Sequence, residues 1–202
     1  MQFAFAHLNL TKNPFGDLSR DERAGLVLFD TAPLARELAL PRTVVQFVAD
    51  HGRGKTTRLI ALHGAFPDAP YVKLERARRV EVPASEILFV DSFEILGWFG
   101  RRRVYGKVDS LAVTTHSDRS REFRRAGFRV VSVKVSEADP YRLLEIFQRR
   151  VEAVRRADGP IPEITEALVR ELVRRFGDDV RAMEGRLYDR FQALDSPGPF
   201  EL

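Results

Sequence analysis

Ala49-Asp50-His51-Gly52-Arg53-Gly54-Lys55-Thr56-Thr57 lies between a β-branched, apolar run, Thr43 to Val48, and a segment, Thr56 to His63, whose Leu59, Ile60 and Leu62 suit a helix packed on a sheet. The stretch matches the phosphate-binding pattern G-x-x-x-x-G-K-[ST], except that Ala49 stands at the first glycine. Gly52 and Gly54 let the backbone curl so that successive N–H groups face one point, where the N-terminus of the following helix adds partial positive charge. In that cradle, formed by His51, Gly52, Arg53 and Gly54, Lys55 is placed to neutralise β- and γ-phosphates. The Thr56 hydroxyl is placed to ligate magnesium, and Thr57 to reach an α-phosphate. The order strand, loop, helix separates this stretch from an ordinary glycine turn that happens to carry a lysine.

Further apolar runs follow at Tyr71 to Leu74, Ile87 to Val90, Leu111 to Thr114 and Val130 to Val135. They are spaced for crossovers rather than hairpins, which predicts a mainly parallel five-stranded sheet covered on both faces. The third of the five runs ends in Asp91, as a buried strand delivering a carboxylate to the sheet edge would, and Asp91 is a candidate for the magnesium shell. An Asp-Thr pair at 30–31 is placed to cap a short helix over Ala32 to Leu40. From Pro140 onward the apolar stripes take helical spacing: Leu143, Phe147, Val151 and Val154; then Ile164, Leu168, Leu172 and Phe176; then Val180, Met183, Leu187, Phe191 and Leu194. Breaks at Asp158-Gly159-Pro160 and Gly177-Asp178-Asp179 separate three helices. The expected organisation is an α/β nucleotide-binding domain over 1–138 and a small C-terminal helical lid over 139–202, with residues from Asp195 onward a frayed end.

The 202 residues include 28 Arg, 5 Lys and 29 acidic residues, a formal net charge of +4, with 44% hydrophobic content. Such a chain buries a core, which excludes a disordered or collagen-like class. The lack of cysteine excludes a disulfide framework and a zinc-thiolate site. No apolar run reaches membrane-spanning length and the first residues have no secretory pattern, so a cytoplasmic protein with no membrane partner is expected.

The motifs together resemble the AAA-plus (AAA+) family of ATPases, P-loop proteins of the ASCE class, over most of the chain. The resemblance implies a P-loop three-layer sandwich that binds ATP and Mg2+. In that family two acidic residues usually end the second motif. Here Ser92 stands at the second place and Glu94 lies two residues further on, so ATP binding is better supported than hydrolysis. The polar tip of the fourth strand corresponds to Thr115 or Thr114, with His116 either a phosphate sensor or a surface histidine. Gly177 to Gly185 is similar to the lid helix of bacterial replication initiators, which implies that Arg181 senses the γ-phosphate. Leu8 to Gly16, with Asn13-Pro14-Phe15, looks like the entry segment of ATPases that assist transposition and secretion, which implies that Pro14 and Phe15 offer an apolar ledge near the adenine; core packing accounts for the same two residues nearly as well. Arg124 and Arg125, late in a helix after the fourth strand, are candidates for a finger into a neighbouring subunit.

Trp98 to Lys107 interleaves aromatics with Arg101, Arg102, Arg103 and Lys107, which suits either a loop gripping nucleic-acid phosphates or a hairpin packed on the core. Two functions follow. The first is an ATP-binding switch that assembles with copies of itself or a partner, a possible ATPase whose hydrolysis is weak or partner-dependent. The second is a nucleic-acid-binding adaptor, with DNA as a possible partner, in which the nucleotide site is vestigial.

Overall fold

A computed structural model describes residues 4–19, 22, 29–50, 52–76, 81–135 and 139–202. The chain divides into two compact units, Phe29–Ser136 and a second made of Met1–Leu28 with Glu137–Leu202.

The first unit holds strands β1 (Thr43–Val48), β2 (Tyr71–Lys73), β3 (Ser85–Asp91), β4 (Val108–Thr115) and β5 (Arg129–Lys134) in the order β2-β3-β4-β1-β5, with every pairing parallel. All five predicted runs are strands. Successive side chains along a strand face opposite sides, so a sheet covered on both faces requires apolar residues at neighbouring positions. Val44, Leu88, Val90, Leu111 and Val113 pack with Val104 and Tyr105 of helix α3 (Trp98–Tyr105) and Phe123 of α4 (Ser120–Arg125). Val45, Phe47, Phe89 and Ala112 pack with Leu38 of α1 (Ala32–Leu38) and Leu59 and Leu62 of α2 (Lys55–His63). These are the three layers expected.

Arg42 locks the start of β1. Its backbone is left-handed (φ 56°), its guanidinium donates to Ala126 O at 2.6 Å, and its guanidinium carbon lies 3.8 Å from the centre of the Phe128 ring.

The second unit holds helices α5 (Pro140–Ala153), α6 (Glu166–Phe176) and α7 (Val180–Gln192). Each starts at a side-chain cap: Asp139 accepts from Tyr141 N, Thr165 from Leu168 N and Asp179 from Ala182 N. The predicted stripes meet in one core, which also takes Leu8, Leu10 and Phe15. The N-terminal stretch, which the sequence groups with the sheet, is therefore grouped by its contacts with these helices. The tail is not frayed. Gly198–Pro199 (β7) pairs with Pro162–Glu163 (β6), and the Phe200 ring meets the Phe191 ring edge-on at 5.3 Å. Among the described residues no helix is long and apolar enough to cross a membrane.

Candidate nucleotide site

Gly52 and Gly54 both adopt left-handed backbone, φ 78° and 77°. Glycine takes this conformation without steric cost, which fits the turn that delivers the chain into α2 with Gly54 as its N-cap. Lys55, the first residue of α2, is buried, and its ammonium donates to Ala49 O at 2.7 Å and Asp50 O at 2.6 Å. Burial lowers the Lys55 pKa, against the opposing pull of Glu94, Asp91 and Asp50. Arg58 donates to Arg53 O at 3.3 Å, and the Arg53 guanidinium lies 3.5 Å from the Asp50 carboxylate. Thr57 is half-buried on the first turn of α2, and His51 lies outside the described residues.

The register pairs Phe47 with Thr114, Val48 with Thr115 and Val90 with Val113, so β1, β4 and β3 end side by side. Asp91, the last residue of β3, is buried there. It accepts from Thr56 Oγ1 at 3.1 and 3.0 Å and from Thr114 Oγ1 at 2.6 Å, while Ser92 N donates to Thr114 Oγ1 at 2.7 Å. Thr114 rather than Thr115 thus joins the Asp91 network. Thr115 Oγ1 is buried with no hydrogen-bond partner among the described residues. One carboxylate beside one hydroxyl is the donor set by which Mg2+ is held jointly with substrate phosphates and water. Among the described residues no cluster of three or more His, Cys, Asp or Glu exists to hold a metal alone.

Ser92 has left-handed backbone (φ 63°) and opens a tight turn, Phe93–Ile95. Glu94 in that turn is paired with His116, Oε1 to Nε2 at 2.7 Å, and its Oε2 is buried with no partner among the described residues. His116 is therefore not a lone surface histidine. Its loop is anchored by Gln46, fully buried in β1, which bonds Asp118 Oδ1 at 2.8 Å and Ser120 Oγ at 2.7 Å and accepts from Arg119 N at 3.1 Å. The signal for Gln46 in the sequence is a polar side chain inside an otherwise β-branched and aromatic run.

Three expectations are corrected. Trp98 to Tyr105 is helix α3, not a loop or hairpin, because Val104 and Tyr105 bury against the sheet. Arg101 is held inward: its Nε donates to Glu122 Oε1 at 2.6 Å and its guanidinium also bonds Leu96 O. Lys107 donates to Val82 O at 3.1 Å, which leaves Arg102 and Arg103 exposed, with Arg102 5.0 Å from the Trp98 ring. Phe15 is core rather than a ledge, packed against Phe147 at 5.6 Å and Phe191 at 5.3 Å in the second unit. Arg150, whose place on the apolar stripe of α5 was the available signal, holds it there by donating to Pro14 O at 2.8 Å, Gly16 O at 3.1 Å and Glu184 Oε1 at 2.6 Å. Arg181 lies exposed on the first turn of α7, and Arg124 and Arg125 are exposed at the end of α4.

No protein-family model and no curated protein matches the chain. Solved structures do. RuvB of Thermotoga maritima, described as a Holliday junction branch migration motor, superposes with a TM-score of 0.52 at 17% identity over 94% of this chain and 65% of its own. A proline-to-glycine mutant of that protein gives 0.55 at 15% identity over 90% and 65%. An arginine-to-alanine mutant gives 0.51 at 17% over 73% and 53%. The chain thus spans less than two thirds of each RuvB chain, and at these identities the likeness is one of fold. The chain thus shares the RuvB-like P-loop α/β fold, built on a parallel five-stranded sheet.

Proposed function

We propose that the chain binds Mg-ATP at the 49–57 loop and acts as a nucleotide-dependent switch whose own hydrolysis is weak or completed by a partner. The observation that carries this reading is the meeting of Lys55, Thr56 and Asp91 behind a turn of two left-handed glycines. Among the described residues the Lys55 ammonium bonds only neutral carbonyls of its own loop, so a phosphate oxygen competes with neutral acceptors rather than with a carboxylate. Thr56 and Asp91 would hold the magnesium together with the phosphates, and the metal would neutralise charge on the β- and γ-oxygens. The exposed arginines bear on assembly and sensing: Arg181 as the residue of the helical unit that reads the nucleotide, and Arg124 or Arg125 as the residue offered to a neighbouring copy. Residence in the cytoplasm belongs to the same reading.

Calorimetric titration of Mg-ATP into the native chain and Lys55→Ala tests it. Saturable binding that weakens by about 100-fold or more in the variant is expected, since the lysine makes charge-assisted bonds to the phosphates. Equal affinity in both proteins sinks the reading.

A further inference from the structure

The second motif lacks its second carboxylate at residue 92, and the geometry around Glu94 supplies a replacement. Ser92 turns left-handed at the end of β3, its N–H tied to Thr114 Oγ1, and the turn that follows brings Glu94 to the strand ends. There Glu94 is the carboxylate with the strongest pull on the Lys55 ammonium, ahead of Asp91 and Asp50. One of its oxygens is taken by His116. The other is buried and unpartnered among the described residues, although buried carboxylate oxygens ordinarily accept a hydrogen bond. An acceptor oxygen with its twin fixed by a third group is the arrangement of an oriented general base.

We propose that Glu94 is the general base for ATP hydrolysis and that His116 is the positioning residue that aims it. A carboxylate only accepts, so His116 Nε2 carries the proton of their bond, which fixes Oε1 and leaves Oε2 as the acceptor on a side chain close enough to act on the Lys55 ammonium. The water oxygen forms a bond to the γ-phosphorus as the bond from that phosphorus to the β,γ-bridging oxygen breaks. The bond's electron pair leaves on ADP. The water proton passes to Glu94 Oε2 and from there to the released phosphate or solvent. Gln46 contributes indirectly, because it pins the loop that carries His116 through Asp118, Arg119 and Ser120.

This inference rests on the nucleotide-site reading above, and one set of full-length variants separates the two. Phosphate release is measured against Mg-ATP over a range of protein concentrations, with binding of a methylanthraniloyl-ATP probe followed in parallel. Glu94→Gln is expected to lower kcat by about 100-fold or more with probe affinity nearly unchanged. His116→Ala is expected to lower kcat by about tenfold with KM unchanged, and His116→Gln, whose amide N–H reaches the same carboxylate oxygen, to recover much of that loss. A purely structural role for His116 would show as equal losses in kcat and probe binding, without rescue by glutamine. Glu94→Gln turning over within threefold of the native chain, or a native chain that binds the probe yet releases no phosphate at any concentration, overturns the inference and leaves the binding site standing. Failure of the native chain to bind the probe overturns the nucleotide reading itself.

Discussion

Lys55 and Arg150 are both buried cations that clamp a turn by donating to backbone carbonyls, one in each unit. Arg150 grips Pro14 O and Gly16 O, and its charge is met at 2.6 Å by Glu184. Lys55 grips Ala49 O and Asp50 O with no carboxylate within ion-pair distance among the described residues, and burial lowers its pKa. A buried charge paired within the protein has its desolvation offset there, whereas one left to neutral acceptors keeps part of that cost, which the anion site proposed above would relieve.

That difference predicts crossed phenotypes. Arg150→Ala strips donors from two carbonyls and from Glu184, and should cost about 2–4 kcal/mol of stability with little change in nucleotide affinity. Thermal unfolding with a parallel calorimetric titration checks both halves. Arg150→Lys should recover only part, because one ammonium cannot reproduce the guanidinium fork. Lys55→Ala should do the reverse, holding the melting temperature near the native value while nucleotide affinity falls about 100-fold or more. A large stability loss in Lys55→Ala would erase the distinction between the two cations.

Asp91→Asn sharpens the contrast at a smaller scale. An asparagine oxygen still accepts from Thr56 and Thr114, so folding is kept, but the charge that would face a divalent cation is gone. Nucleotide affinity in magnesium should fall about tenfold, about 1.4 kcal/mol, while affinity in EDTA stays level with the native chain. Equal affinities in magnesium would show that Asp91 serves only the hydrogen-bond network.

How much of this is legible in sequence follows the range of the interactions involved. The strands read correctly because burial on both faces writes itself as continuous apolar runs, and the last three helices because their stripes and caps are local. The nearness of Thr56 to Asp91 reads from the same logic, since loop and carboxylate both lie at the carboxyl ends of parallel strands. Helix α3 does not. Trp-Phe-Gly-Arg-Arg-Arg carries the composition of a loop, and it is helical because Arg101 finds Glu122 and because Val104 and Tyr105 find the sheet. The two readings of Phe15, ledge or core, stay undecided in the sequence for the same reason, since the backbone on either side of it is gripped by Arg150, far along the chain. Glu94 and His116 are each visible as candidates, but their pairing depends on a left-handed serine that no pattern announces.

The smallest effect concerns a third cation, Arg101, which Glu122 neutralises on the model of Arg150 rather than Lys55. Burial alone would raise the Glu122 pKa, but bonds from Arg101, Tyr105 and Arg119 outweigh it and hold the carboxyl below its ordinary 4.5. A carboxyl whose pKa is depressed on folding contributes stability that is whole above the unfolded value and is lost as pH falls through the folded one. The native chain should therefore lose melting temperature below about pH 4.5, and Glu122→Gln should start lower at neutral pH and fall less steeply in that window. Asp118 in the same unit, and Glu22 and Glu152 in the other, are depressed as well, so the difference between variant and native curves carries the test. Parallel curves would show that Arg101 is not neutralised by Glu122 in solution, freeing its guanidinium for an external anion and breaking the rule that separates Lys55 from the structural arginines.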